Sequence, residues 1–409
     1  MDFKEKISLK ELIERKHKSK KATLDYDDAT LTHYLQNSTN GVSASFKEDA
    51  VAYIAQILTE KLNREGISPD DVETALEQSV FESIEAPFPS KSKIAFKFID
   101  LFAGVGGFRL ALQNVGGKCV YSSEFEQNAK FTYANNFGKV PFGDITLDKT
   151  KAYIPQNFDI LCGGFPCQAF SIAGHRKGFS DTRGTLFFDI QQIVAKHRPK
   201  VIFLENVKNL LTHDKGNTFK IILETLEENL GYKVFYKVLN TVTHANVPQN
   251  RERIFIVAFD PQQVDNYTDF EFPGPVELTR TIHDILEPGK QADKYYYKKD
   301  HMYYAELERT MTSKDTIYQW RRVYVRENKN NVCPTLTANM GAGGHNVPLV
   351  KDDFGIRKLT PRECFSFQGY PENFVLSPIL ADSKLYMQAG NSVTMPLIQR
   401  IAENIYKVL

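Results

Sequence analysis

The strongest constraint on this chain is a regular alternation of two kinds of segment between residues 94 and 260. Short runs such as "FKFIDLF", "KCVYSSEF", "FDILCGG", "KVIFLENV" and "RIFIVAFD" are rich in β-branched and aromatic residues, as buried strands are. The stretches between them, such as "GFRLALQNVGG" and "EQNAKFTYANNFG", have helical periodicity and end at glycines. Strands that alternate with helices predict a doubly wound α/β domain.

Composition and length limit the classes of protein that fit. A chain of 409 residues with 42% hydrophobic residues can bury a core in about two or three domains. Its five cysteines are scattered and no apolar signal segment begins the sequence, so we expect a reducing compartment, the cytoplasm. No apolar run approaches the ~20 residues that span a bilayer, so no membrane role is expected.

Changes in pattern predict four segments. Residues 1–93 are expected to form a helical extension, with a helix in "DAVAYIAQILTEKL", and to end in the linker "APFPSKSK". Residues 94–260 form the main α/β domain, and residues 261–358 form a smaller, irregular domain rich in Tyr, Lys, Arg and Gly. Residues 359–409 are expected to return and complete the main domain.

A glycine-rich turn joins the first strand to the first helix of that domain. In "DLFAGVGGFRLAL", Gly104, Gly106 and Gly107 permit a tight turn and a close approach of backbone to a ligand. Glu124, at the end of the next strand, can accept hydrogen bonds from ribose hydroxyls, and Asp144 in "FGDIT" can accept from an exocyclic amine. An adenosine ligand is implied.

The residues around this turn favour one adenosine compound over another. A sulfonium cation is well served by an aromatic face such as Phe102, whereas a pyrophosphate usually has a basic partner. This favours S-adenosylmethionine over NAD.

A second candidate site lies where "FDILCGG" ends. In open α/β sheets, chemistry takes place beyond the carboxyl ends of the strands, so Cys167 at this strand tip is a candidate nucleophile. An inert buried thiol is the alternative on composition alone, because the chain has four other cysteines, Cys119, Cys162, Cys333 and Cys364.

Seven blocks of the sequence together resemble one family. "FIDLFAGVGGFRLAL", "FGDIT", "DILCGGFPCQAFS", "FLENVKNL", "VPQNRERIFIVAF", "LTPRECFSFQGYPENF" and "AGNSV" stand in the order and spacing found in DNA cytosine-5 methyltransferases of the bacterial restriction-modification type. The resemblance covers residues 94–409. It implies a Rossmann-like, S-adenosylmethionine-dependent sheet domain with a smaller target-recognition domain.

The resemblance also implies roles for residues at the strand tips. Cys167 is similar to the nucleophile that adds to carbon 6 of a flipped-out cytosine, with Pro166 beside it. Glu205 resembles the acidic partner of cytosine N3, and Arg253, with Arg251 close by, resembles the residue that holds O2.

Further residues carry binding roles by the same resemblance. The cofactor-binding set is Phe102, Gly104, Gly106, Gly107, Glu124, Phe125, Asp144, Ile145, Leu186, Asn391 and Val393. The loop 168–185 is expected to close over DNA, and sequence readout is expected from residues 318–346. The DNA-binding set is Arg183, Arg321, Arg322, Arg326, Thr335 and Leu336.

Three alternatives remain beside this interpretation. A tRNA cytosine-5 methyltransferase shares the catalytic blocks, although the long segment between Asp260 and Leu359 favours DNA. An NAD-dependent oxidoreductase leaves Cys167, Glu205 and Arg253 unexplained, and a non-catalytic DNA-binding regulator is expected to lack one of those three. The expected partners are double-stranded DNA and a functionally paired restriction endonuclease, with the enzyme itself a monomer without a metal site.

Overall fold

The computed structural model describes residues 23–37, 42, 44–65, 86–89, 93–166, 186–342 and 346–409, with backbone alone at 54–55 and 57–65. Cys167, Arg183, the loop 168–185 and residues 343–345 lie outside the described residues. The helices are α1 Tyr26–Asn37, α2 Ala44–Glu65, α3 Gly107–Asn114, α4 Gln127–Phe137, α5 Asp148–Ala152, α6 Leu186–His197, α7 Asn217–Glu224, α8 Thr241–His244, α9 Tyr304–Thr310, α10 Pro361–Ser366, α11 Asp382–Asn391 and α12 Met395–Val408. The strands are β1 Phe96–Leu101, β2 Gly117–Ser122, β3 Ile160–Gly164, β4 Val201–Val207, β5 Lys233–Asn240, β6 Gln249–Asn250, β7 Glu252–Phe259, β8 Tyr318–Arg321, β9 Tyr324–Glu327, β10 Cys333–Pro334, β11 Leu349–Lys351 and β12 Ile356–Lys358.

A six-stranded sheet forms the centre of the molecule, and it confirms the predicted α/β fold. Its strand order is β2-β1-β3-β4-β7-β5. The β2–β1, β1–β3 and β3–β4 pairs are parallel. Strand β7 runs antiparallel to both of its neighbours, β4 and β5. The start of β7 therefore lies at the edge of the sheet where the parallel strands end.

Both faces of this sheet are buried along β1, β2, β3, β4 and β7, which explains the nearly continuous apolar composition of these strands, whereas the edge strand β5 is largely exposed or half-buried. Alternate residues of β4 point to opposite sides, so Phe203 packs in one core and Leu204 in the other. Helices α3 and α12 cover the first face, while α6 and α7 cover the second. The return segment thus supplies a helix of the main domain, since Leu397 and Ile401 of α12 lie in the same core as Phe203.

A second, four-stranded antiparallel sheet lies in the region predicted to be an irregular domain. Its order is β12-β11-β8-β9, and β8 and β9 form a hairpin with Arg322 and Val323 at the turn. Leu307, Met311 and Tyr318 belong to a small core of its own. The packing is continuous with the main domain, because β10 pairs with β6. The predicted boundaries at residues 261 and 358 therefore remain predictions.

The N-terminal extension packs on the main domain through a helix that the sequence patterns did not predict. Helix α1 begins after Asp25, whose carboxylate accepts from the backbone N–H groups of Asp27 and Asp28. Asp28 reciprocates, because its carboxylate accepts from the N–H of Asp25 at 3.0 Å. The acidic pattern "DYDD" is thus a capping signal that was available in the sequence. The stretch "SPDD", residues 68–71, predicts a second helix of the extension with Ser68 as its cap, and it lies outside the described residues. Across the described ranges, no helix has both the length and the apolar character needed to cross a bilayer.

Gly390 lies where helix α11 meets the segment that follows β10. A Cβ atom at Gly390 would lie 2.1 Å from the carbonyl carbon of Thr337 and 2.4 Å from the backbone nitrogen of Ala338. Two backbones cannot move apart here without breaking the packing of the return segment.

We predict that Gly390→Ala lowers the midpoint of thermal unfolding, because overpacking costs about 1–3 kcal/mol even where side chains alone must shift. Gly274→Ala is the matched control, because a Cβ there meets nothing within 4 Å. Its midpoint should equal that of the wild type or exceed it slightly. Equal midpoints for the two variants would contradict the observed close approach.

Candidate functional site

The turn from β1 to α3 passes through several left-handed residues, where glycine is favoured. The φ angles are 53° at Phe102, 53° at Gly104 and 90° at Gly106. A Cβ at Gly106 would lie 2.2 Å from the ring of Phe137, and a Cβ at Gly107 would lie 2.6 Å from Val393. Gly106 and Gly107 therefore allow α3 to pack closely against Phe137 and Val393, while their expected approach to a ligand remains a prediction.

The buried carboxylate of Glu124 stabilises this turn by accepting hydrogen bonds from its backbone. It accepts hydrogen bonds from the backbone N–H groups of Gly104 and Glu126, each at 2.8 Å. Burial raises the pKa of Glu124, while these two hydrogen bonds oppose the rise. Beside it, Phe125 is 73% exposed, a large apolar ring without cover. The carboxylate and the ring together form one wall of a cavity.

A second wall contains an ion pair between β4 and β7, which run antiparallel to each other. In the register of β4 and β7, Val207 faces Arg253 and Glu205 faces Phe255, so Glu205 and Arg253 are diagonal neighbours on one face. Arg253 Nε donates to Glu205 Oε1 at 3.0 Å. Both side chains are partly shielded, with exposures of 14% and 11%. A shielded, charged donor and acceptor at the strand tips can recognise a flat polar molecule.

Arg251 lies between β6 and β7, and its side chain reaches two segments from later in the chain. Its Nη1 donates to the carbonyl of Leu336 at 2.8 Å, and its Nη2 donates to the carbonyl of Ser392 at 2.6 Å. Burial, together with the charge of Arg253, lowers the pKa of Arg251 to about 9. Since both terminal nitrogens are bonded to backbone, Arg251 holds three segments together. Its expected catalytic role remains a prediction.

A cavity of about 480 Å³ joins these walls, and it brings together most of the residues singled out from the sequence. Those that line it are Phe102, Gly104, Gly107, Glu124, Phe125, Asp144, Ile145, Pro166, Leu186, Glu205, Arg251, Arg253, Asn391 and Val393. Gly106 does not line it and supports the turn instead. Cys167 follows Pro166, a lining residue, but itself lies outside the described residues.

The residues of the cavity fit an adenosine compound. A Cβ on Gly104 would meet only the Phe102 carbonyl oxygen, at 4.0 Å, so the backbone leaves open space there for a ligand. An exposed aromatic ring, Phe125, and a buried carboxylate, Glu124, lie next to each other in the chain, and both line the cavity. The first can stack on a base and the second can accept from ribose hydroxyls.

The expected DNA-binding residues lie in two different environments. Arg321, Arg322 and Arg326 are exposed on the β8–β9 hairpin, where Arg322 has a φ of 54° at the turn. Thr335 is partly exposed and donates its hydroxyl to the carbonyl of Asn250 at 2.6 Å. Leu336 is fully buried, so its side chain does not fit the expectation of a DNA contact. It packs in the main core because β10 pairs with β6 immediately before it.

Asn206 lines the cavity but received no role from the sequence patterns, although it belongs to the block "FLENVKNL". Its side-chain amide donates to the carbonyl of Phe165 at 2.8 Å, and its side-chain oxygen accepts from the N–H of Val207. It is 2% exposed. Asn206 therefore fixes the backbone of the strand tip that precedes Pro166.

Comparison with known proteins gives a consistent result. A family described as C-5 cytosine-specific DNA methylase matches residues 96–407. The Type II methyltransferase M.Bsp6I of Bacillus sp. (strain RFL6) is 56% identical over 312 residues, which cover 75% of this chain and 97% of the relative. The Type II methyltransferase M.HpaII of Haemophilus parainfluenzae is 44% identical over 363 residues, 82% of this chain and 96% of the relative.

Solved structures resemble the fold at lower identity. A methyltransferase of Entamoeba histolytica, EhMeth, superposes with a TM-score of 0.57 at 16% identity, and the match covers 78% of this chain and 99% of that one. A putative DNA modification methyltransferase from an E. coli prophage gives 0.53 at 21% identity, with 76% and 99% covered. These likenesses support the fold.

We predict that Arg251→Met lowers the thermal unfolding midpoint by several degrees, because it leaves buried carbonyls without donors at about 1–3 kcal/mol each. Arg400→Met is the control, since Arg400 is less buried and bonds one carbonyl, that of His244. Its midpoint should fall less. A larger loss for Arg400→Met would contradict the cross-linking role of Arg251.

Proposed function

The chain belongs to the C-5 cytosine-specific DNA methylase family, and on that premise we propose how its residues carry out methyl transfer. The protein is a DNA (cytosine-5-)-methyltransferase that uses S-adenosylmethionine. The observation that carries the proposal is the Glu205–Arg253 ion pair, which lies in the same cavity as Glu124 and the glycine turn. The family favours DNA as the substrate over the tRNA alternative.

When bound, S-adenosylmethionine would supply a methyl group from its sulfonium centre, and the rest of the molecule would leave as a neutral thioether. In the proposed arrangement Glu124 accepts from the ribose hydroxyls, Phe125 stacks on the adenine, and Asp144 accepts from the exocyclic amine. Phe102 offers its face to the sulfonium charge. Asn391 and Val393 close the cavity from the end of the chain, and Ile145 and Leu186 line its sides.

Cys167 is the proposed nucleophile. A free thiol is only about 3% thiolate at pH 7, so the site must favour the thiolate. The thiolate forms a bond to carbon 6 of cytosine, and the electron pair displaced to carbon 5 forms the bond to the methyl group. A base then removes the carbon-5 proton, the electrons of that bond re-form the ring double bond, and the sulfur leaves carbon 6.

Glu205 and Arg253 are proposed to hold the base while this happens. A protonated or proton-sharing Glu205 binds cytosine N3 and draws electron density as the thiolate adds. Arg253 donates to O2 and stabilises the developing charge. Pro166 and Asn206 fix the backbone that presents the nucleophile. A cytosine in a duplex must leave the stack to reach this site, which costs a few kcal/mol.

Other parts of the chain carry the proposed DNA contacts and partners. The β8–β9 hairpin is proposed to contact phosphates and base edges through Arg321, Arg322 and Arg326. Thr335 lies beside the pairing of β6 and β10. Residues 261–358 are proposed as the target-recognition unit. The names of the relatives, Type II methyltransferases, support a paired restriction endonuclease. We also propose that the enzyme acts as a monomer in the cytoplasm.

The covalent step predicts a trapped complex. Duplex DNA with 5-fluorocytosine at the target position should form a denaturation-stable adduct in the presence of S-adenosylmethionine, because fluorine cannot leave as a proton. Mass spectrometry should map the adduct to the peptide that contains Cys167, and Cys167→Ala should abolish it. Glu205→Gln should form it more slowly, because an amide cannot supply the proton that assists attack. The target context itself can be read by bisulfite sequencing of a plasmid methylated in a host.

Cys162 provides the internal control for this experiment. It lies within β3, is fully buried, and its pKa is raised by burial. An adduct on Cys162, or a preference for RNA over duplex DNA, would refute the assigned nucleophile or the substrate respectively.

A further inference from the structure

Helix α1 lies against β2, which is the edge strand of the central sheet. An edge strand presents unpaired backbone groups that must find other partners. Here the N–H of Ser122 donates to His33 Nε2 at 3.2 Å, and the side-chain amide of Asn37 donates to the carbonyl of Val120 at 3.1 Å. Side chains of α1 thus provide hydrogen-bond partners for two backbone groups of this edge strand. This helix precedes residue 96, where the match to the family begins.

The hydrogen bonds of His33 define its tautomer. A carbonyl oxygen can only accept, so the 2.8 Å contact with Ala29 O requires a proton on Nδ1 and leaves Nε2 as the acceptor for Ser122. The ring is fully buried. Burial, together with the charge of Lys139, lowers the pKa of His33, which keeps the ring neutral and able to accept.

The end of β2 also leads into the part of the cavity wall that contains Glu124. The N–H of Phe142 donates to the carbonyl of Ser122 at 2.8 Å, and the N–H of Glu124 donates to the carbonyl of Phe142 at 2.9 Å. The ring of Phe142 lies 4.7 Å from that of His33, centroid to centroid. His33 therefore contacts both segments that lead into the cavity, Ser122–Glu124 and Phe142–Ile145.

Tyr26 supports the second of these segments directly. A Cβ on Gly143 would lie 3.1 Å from the Tyr26 hydroxyl oxygen and 3.4 Å from the ring carbon that bears it. The hydroxyl also hydrogen-bonds Thr150 Oγ1, and Lys149 Nζ lies 4.2 Å from the ring centroid. Because Gly143 and Asp144 line the cavity, Tyr26 packs immediately behind its wall.

We propose that α1 is a positioning element of the S-adenosylmethionine site, in which His33 and Tyr26 hold Glu124 and Asp144 at the spacing that the cofactor's ribose and adenine require. The inference rests on the assignment of this cavity to the cofactor. It predicts that changes which displace the Ser122–Glu124 or Phe142–Ile145 segments from α1 weaken cofactor binding, while chemistry at saturating cofactor is retained. Neither His33 nor Tyr26 is among the residues that line the cavity.

A double-mutant cycle in the full-length protein tests the contact between Tyr26 and Gly143. Gly143→Ala should raise the Kd for S-adenosylmethionine about tenfold, because the new methyl group forces the loop away from the Tyr26 hydroxyl. Tyr26→Phe removes that oxygen and should change the Kd by less than about threefold. The double variant should bind more tightly than Gly143→Ala alone. Isothermal titration calorimetry measures all four constants.

A second arm tests His33. His33→Phe keeps an aromatic ring but removes the acceptor for Ser122, so the Kd and the KM for S-adenosylmethionine should rise about tenfold. The kcat at saturating cofactor and the Kd for DNA should remain those of the wild type. Leu307→Ala is the stability control, because Leu307 is buried in the small core of the second sheet. It should lower the thermal midpoint and leave the cofactor Kd unchanged.

These outcomes distinguish the positioning role of α1 from the assignment of the cavity to the cofactor. Additive effects of Gly143→Ala and Tyr26→Phe, together with a wild-type cofactor Kd for folded His33→Phe, would overturn the role of α1. If His33→Phe does not fold, the Tyr26–Gly143 cycle decides the question alone. Wild-type affinity in Glu124→Ala would instead show that the cofactor binds elsewhere, which refutes the cavity assignment itself.

Discussion

The site depends on the reversal of one strand. Parallel strands bring their carboxyl ends to one edge of a sheet, where α/β enzymes place their ligands. β7 runs the other way, so its first residues join this edge and Arg253 meets Glu205 across the β4–β7 register. A parallel β7 would carry Arg253 to the opposite edge. The position of the Glu205–Arg253 pair in the cavity therefore results from sheet topology.

Several distant parts of the chain then complete the cavity. The glycine turn and Glu124 follow β1 and β2, while Asn391 ends α11 and Val393 lies between α11 and α12. Buried polar groups fix these parts relative to one another, with Arg251 bonded to Leu336 and Ser392. A buried donor that loses its acceptors costs more than the bond contributes, so such links make the arrangement specific.

Local patterns predicted the elements and the glycine turn with Glu124 and Asp144, whereas the resemblance to the family supplied most of the other cavity residues. Strand composition and glycine positions depend on near neighbours, so β1, α3 and the turn at Gly104 could be recognised directly. Strand direction depends on distant packing, and the pattern of "RIFIVAFD" is the same in either direction.

Two further features lay beyond local pattern for the same reason. Leu336 looks like any residue of a polar loop until the pairing of β10 with β6 shows it to be buried. Helix α1 carries polar side chains on its packed face, since His33 and Asn37 bond an edge strand, so it lacks the apolar stripe that predicts a packed helix. Its capping pattern was the only local signal.

The most direct test of the account is whether Glu205 and Arg253 act as one unit on the base. The single variants Glu205→Gln and Arg253→Met and the double variant can be compared by the single-turnover rate of methyl transfer at saturating DNA and cofactor. The account predicts strong coupling, so that the double variant is about as slow as the slower single variant. Losses that multiply independently would contradict it.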